Sequence, residues 1–148
     1  MNQKKLAQVG LFIIILLVSC DMASSRNENP KFTIPANPEK GKATLVGRIL
    51  SSVGGKPMGS IVVRLAEVVR QGEEGAYVLD EAFSPGVRTD ADGYFIFENV
   101  DVKEYVIIVG DVYDQYRVIS GEDKKAKVWN TIDGNVLDVG ELRVDLNP

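Results

Sequence analysis

The stretch "VRTDADGYFIFENV", residues 87–100, decides how the rest of the chain is read. Its first half has the chemistry of a tight turn. Asp90 and Asp92 can accept bonds from nearby backbone, and Gly93 can take a positive φ at no steric cost. Its second half, Tyr94 to Glu98, reads as a strand rich in aromatic residues. The same acids invite comparison with a calcium loop, which needs acids at positions 1, 3 and 5, glycine at 6 and glutamate at 12. With Gly93 at position 6, Arg88 and Asn99 occupy the two ends, so the turn is the reading carried forward.

Outward from that turn the pattern repeats. "KATLVGRIL" (42–50) is a first strand, and "SVGGKPMG" (52–59) is a turn-rich connection. "SIVVRLAEVV" (60–69) alternates, with Ile61, Val63 and Leu65 on one face and Arg64 and Arg70 on the other. After the polar loop "QGEEG" (71–75) comes "AYVLDEA" (76–82), and a short strand, Val87 to Thr89, follows Ser84-Pro85-Gly86. Downstream lie "YVIIVG" (105–110), "YRVI" (116–119), "KVWNT" (127–131) and "GELRVDL" (140–146). In the last of these Leu142, Val144 and Leu146 point inward. "YVIIV" is apolar on both faces, which predicts a central strand. Strand starts recur about every 10 residues, the spacing of a β-sandwich or barrel, and no segment reads as a helix.

Composition narrows the chemistry. The chain has no histidine and one cysteine, so the common general base, the usual zinc ligands and an internal disulfide are all missing. The formal charge is −4, and an acidic domain is poorly suited to nucleic acid. No cofactor, no metal site and no catalytic set are expected.

The cysteine sits in "ILLVSCDMAS" (15–24). Lys4 and Lys5 give a basic start, and Leu6 to Ser19 are uncharged. As a helix that run is about 21 Å long, short of the about 30 Å of a bilayer core, and it fits a secretory leader. Leu17-Val18-Ser19-Cys20 resembles the bacterial lipoprotein signal, in which the cysteine thiol carries a diacylglycerol and the leader is cut just before it. The resemblance implies a leader over 1–19 and lipidation at Cys20, and two or more acyl chains make a lasting anchor. It places the protein on the extracytoplasmic face of a cell membrane, with inner and outer membrane both open. From Cys20 to residue 41, Pro30, Pro35 and Pro38 interrupt any period, so this part reads as a tether with a root-mean-square span of about 25 Å. Phe32 and Ile34 could instead dock as an extra edge strand.

A second resemblance covers residues 42–146. "GRILSSVGGKPMGSIVVRL", "VRTDADGYFIFENV" and "EYVIIV" are similar, in order, to the carboxypeptidase regulatory-like (transthyretin-like, prealbumin-like) domain. That resemblance implies a single seven-stranded Greek-key β-sandwich that is not catalytic. The chain departs from the pattern over Val69–Val87 and Ile119–Asn135, where a function of its own could sit.

Few side chains stand out as sites. Tyr105 begins its strand as a tyrosine corner does, with its hydroxyl pinning nearby backbone. Tyr113, Tyr116 and Trp129 are the candidate ligand contacts, able to stack on sugar rings if exposed. Related surface modules carry an internal isopeptide bond. Lys42, Glu67 or Glu98, and Asn135 or Asn147 would fill its roles here. The expectation is a lipid-anchored interaction or structural module, partnered by an envelope protein or glycan, with carbohydrate binding as the alternative.

Overall fold

The computed structural model describes residue 33 and residues 36–146. The leader, Cys20, Phe32, Ile34 and Asn147 lie outside the described residues. Within them the strands are β1 (Lys42–Ser51), β2 (Val62–Gln71), β3 (Glu74–Val78), β4 (Gly86–Arg88), β5 (Tyr94–Asp101), β6 (Glu104–Gly110), β7 (Tyr116–Val118), β8 (Val128–Asn130) and β9 (Val136–Val144). One sheet runs β5-β1-β9, with β1 antiparallel to β5 and parallel to β9. The other runs β3-β2-β6-β7, with β4 also on β2 and β8 also on β6.

The short strands are halves of longer ones. Val78 stands opposite Glu67 and Gly86 opposite Arg64, so β3 and β4 form one column along β2 that residues 79–85 interrupt. Likewise Val118 stands opposite Ile108 and Val128 opposite Val106, so β7 and β8 form one column along β6. Residues 119–127 leave that column and return. Counted as columns, the described residues give the expected all-β sandwich of seven positions. The segment read as one strand over 76–82 actually turns out of the ladder after Val78.

Alternation decides what goes inside. Leu45 and Ile49 of β1, Val63 and Leu65 of β2, Phe95 and Phe97 of β5 and Ile107 of β6 fill the space between the sheets. Burying each such side chain contributes about 1.5–3 kcal/mol. Phe95 and Phe97 meet edge to face, with centroids 5.9 Å apart. Leu142 and Val144 of β9 point inward as their spacing predicts, and Leu146 packs against the same core. Gly47 on β1 leaves room for the side chains of its neighbours. A Cβ there would fall 2.5 Å from Cγ2 of Val139 and 2.7 Å from Cζ of Phe95.

The central position of β6 is observed, with β2 on one side and β7 and β8 on the other. Its second face needs its own cover. Val106 and Ile108, with Ala66 of β2, form a buried cluster on the outer side of the sheet. Leu79 from one excursion and Ala126 from the other, with Val112 and Val118, pack over it. Short parts of the 79–85 and 119–127 excursions, at Leu79 and Ala126, thus help cover the outer face of the sheet.

The 87–100 turn holds the two sheets together. Asp90 Oδ1 accepts from the amides of Asp92 at 2.9 Å and Tyr94 at 2.8 Å. Buried Thr89 accepts from the Ile61 amide at 2.9 Å and donates to the Met58 carbonyl at 2.6 Å. Gly93 has φ +84° and packs against the Ile49 carbonyl. Gly93→Ala is expected to destabilise the domain by more than about 1 kcal/mol, because it adds a clash to an unfavourable φ. Gly54 shares a positive φ, +79°, but a Cβ there meets nothing within 4 Å. Gly54→Ala should therefore cost less, and urea denaturation of the two variants checks the order.

Candidate functional site

At one edge the sandwich does not close. Beside the 89–93 turn the two sheets meet, but toward Asp101 they part and leave an open cleft of about 730 Å³. Leu65, Phe97, Val87 and Tyr105 form its apolar depth. Sequence explains the opening on both sides. On β5, Phe97 pairs with Leu45 and Val100 with Ala43, so Glu98 and Asn99 together oppose Thr44 in a bulge. Asn99 takes φ 53° there. A bulge bends its strand and interrupts pairing. On the other sheet, residues 79–85 have left the ladder at the same edge.

One rim is a chain of ion pairs. Lys42 Nζ lies 2.8 Å from Asp101 Oδ1, Lys103 Nζ lies 2.7 Å from Glu67 Oε2, and Lys103 Nζ is 3.8 Å from Asp101 Oδ2. The 101–103 turn that carries them is pinned from beneath. Tyr105 donates its hydroxyl to the Asp101 carbonyl at 3.1 Å, and Thr131 Oγ1 accepts from the Lys103 amide at 2.9 Å. The corner role read for Tyr105 is thus what the structure shows. Burial, and then the charges of Asp101 and Glu67, push its phenol up to about 12.

The other rim is the 80–84 loop. Asp80 Oδ1 accepts from the amides of Ala82 at 2.8 Å and Phe83 at 3.3 Å, and the Asp80 amide donates to Ser84 Oγ at 2.9 Å. From the far side Tyr113 donates its hydroxyl to the Glu81 carboxylate, which holds that phenol above its ordinary range. The loop so fixed presents Phe83, 86% exposed, at the mouth of the cleft.

The three aromatic residues expected to touch ligand fall in three different settings. Trp129 is only 7% exposed, because on β8 the period of two turns Val128 and Asn130 out and Trp129 into the core. That corrects its reading as a surface contact. Tyr116 is 45% exposed on β7, and Tyr113, 82% exposed, clamps the loop that carries Phe83. Phe83 was not singled out by sequence, where it falls between the segment read as a strand over 76–82 and Ser84-Pro85-Gly86. Its signal was an aromatic just before a Ser-Pro-Gly connection, with no alternating partner. Among the described residues the isopeptide roles are not assembled: Lys42 faces Asp101, and Asn135 is exposed. No cluster of metal-ligating side chains occurs among the described residues.

No protein-family model and no curated protein matches the chain. Among solved structures it is distantly similar to a Pseudomonas aeruginosa protein described in terms of carbohydrate binding, at 16% identity over 74% of this chain and 92% of that one, TM-score 0.42. A DUF3823 family protein from Bacteroides uniformis is 16% identical over 74% of this chain and 43% of its own, TM-score 0.41. The pilus 2b backbone protein of group B streptococcus is 12% identical over 80% of this chain and 46% of its own, TM-score 0.39. The chain thus spans less than half the length of the last two.

Charge on the rim gives a pH prediction. The hydrogen bond and charge of Lys42, with a smaller contribution from Lys103, hold Asp101 below its ordinary 3.8. Its contribution to stability is therefore present above the ordinary carboxylate range and lost as pH falls through the lowered midpoint. In Lys42→Met the Asp101 midpoint should move up toward 3.8, read by carboxyl NMR titration. The same bias opposes amide formation, which needs a neutral amine and a protonated acid. Peptide mapping should find the segments bearing Lys42 and Asp101 unlinked; a linked pair lighter by one water would contradict this.

Proposed function

We propose that the protein is a non-catalytic binding module, tethered outside the cytoplasm by lipid on Cys20. The carrying observation is the ending Leu17-Val18-Ser19-Cys20 after a basic start and an uncharged run too short to span a bilayer. The sandwich beginning at Lys42 supports this reading, since about 20 residues separate the lipid site from the first strand and give the domain reach. The regulatory-like motifs agree with it, as that kind of sandwich accompanies enzymes without being their catalytic part. The absence of histidine from the whole chain also argues against an enzyme. What the module offers a partner is the Phe83 cleft. A glycan-binding role is the second reading, favoured by that exposed aromatic beside hydrogen-bonding side chains.

Cells fed a clickable palmitate analogue should yield a labelled, membrane-associated protein whose mature amino terminus is Cys20. Cys20→Ser should lose the label and remain unprocessed. An unlabelled wild type, or a processed Cys20→Ser chain still in the membrane fraction, would overturn the anchor.

A further inference from the structure

The cleft has a chemistry that selects among occupants. Its described lining includes four carboxylates, on Glu67, Asp80, Glu98 and Asp101, against two ammonium groups, on Lys42 and Lys103. Both ammonium groups already lie against carboxylates. An anionic ligand would meet excess negative charge with no uncommitted cation to receive it. The whole chain, at −4, adds to that repulsion.

An extended peptide is disfavoured for a separate reason. Strand addition needs a regular row of backbone donors and acceptors along an edge. At the mouth of the cleft the β5 edge is broken by the Glu98–Asn99 bulge. The chain leading into β1 also crosses it, the Glu39 amide donating to Asn99 Oδ1 at 2.9 Å. What remains is recognition through side chains. Phe83 offers a flat apolar ring, and its loop is ordered in advance by Asp80, Ser84 and the Tyr113–Glu81 bond. Beside it the carboxylate of Glu98, the amide of Asn99 and the hydroxyl of Ser84 also line the space. A volume of about 730 Å³ falls within the range of small-ligand sites.

We propose that this cleft binds an uncharged saccharide, one face of a sugar ring lying on Phe83 and its hydroxyls meeting Glu98, Asn99 and Ser84. The inference rests on reading the domain as a binding module and is independent of the lipid anchor. Tyr113 acts here as a positioning residue, through Glu81 and the loop, without touching the sugar.

The test uses the full chain in a zwitterionic detergent free of sugar headgroups, titrated calorimetrically with maltoheptaose, cellohexaose, mannohexaose and, as the anionic counterpart, a galacturonate hexamer. At least one neutral oligomer should bind, more tightly than the galacturonate. Phe83→Ala should weaken it by about tenfold or more, while Phe83→Trp keeps binding and Tyr116→Ala leaves it unchanged. Tyr113→Phe should lower affinity with the thermal midpoint unmoved. Phe83 is exposed, so its variants should melt with the wild type. Failure of every neutral oligomer, preference for the galacturonate, or full affinity in Phe83→Ala would overturn the proposal. So would competition for the cleft by a peptide in preference to any sugar. Each of these results leaves the labelling of Cys20 unaffected, so the two readings fail separately.

Discussion

A strand that is apolar on both faces must be covered on both faces, and β6 imposes that requirement on everything around it. Tyr105, Ile107 and Val109 turn toward the other sheet, while Val106 and Ile108 turn away from it. A two-layer sandwich satisfies only the first set. The chain answers with two detours that leave the ladder at nearly the same level, one beside Leu65 and Ala66 of β2 and the other beside Ile107 of β6. Leu79 and Ala126 arrive from opposite columns to cover the second set. The hydrophobic effect is roughly proportional to area removed from water and indifferent to direction. It therefore demands a cover without fixing what else the covering loop does.

That freedom shapes the site. The 79–85 excursion starts on the outer face with Leu79 and ends on the cleft side with Phe83. One end is fixed by burial and the other by hydrogen bonds within the loop. An exposed phenylalanine gains nothing from water, so its position is set by the turn that carries it. The opposite rim shows the same division. Tyr105 and Thr131 fix the backbone at 101–103, and the ion pairs on top are open to solvent. Such exposed pairs hold little stability. Their effect is to set the charge the cleft presents.

Strand positions were legible because period two is strong in β2 and β9, where Val63 and Val144 could only point one way. The central place of β6 followed from "YVIIV" alone. The corner role of Tyr105 was legible because its partner, Asp101, is four residues away. Trp129 was not. Val128 and Trp129 are adjacent apolar residues, alternation lets only one point in, and the sequence does not say which. The Tyr113–Glu81 bond joins residues 32 apart, and only the folded sheet brings them together. Phe83 was hidden for a further reason: periodicity describes ladders, and Phe83 sits in the gap where a ladder has been left.

The cleft and the chain's entrance share one end of the sandwich. Lys42 begins β1 and also lines the cleft, and Glu39 and Gly41 bond to Asn99 and Asp133 on their way in. The segment that enters the fold thus doubles as the guard of the β5 edge. A bulged edge crossed by its own chain resists pairing with a neighbouring copy. Among the described residues the same bend leaves side chains, with no regular backbone row, facing the cleft along this edge. Protection of the edge and a cleft lined by side chains are two consequences of one bend in β5.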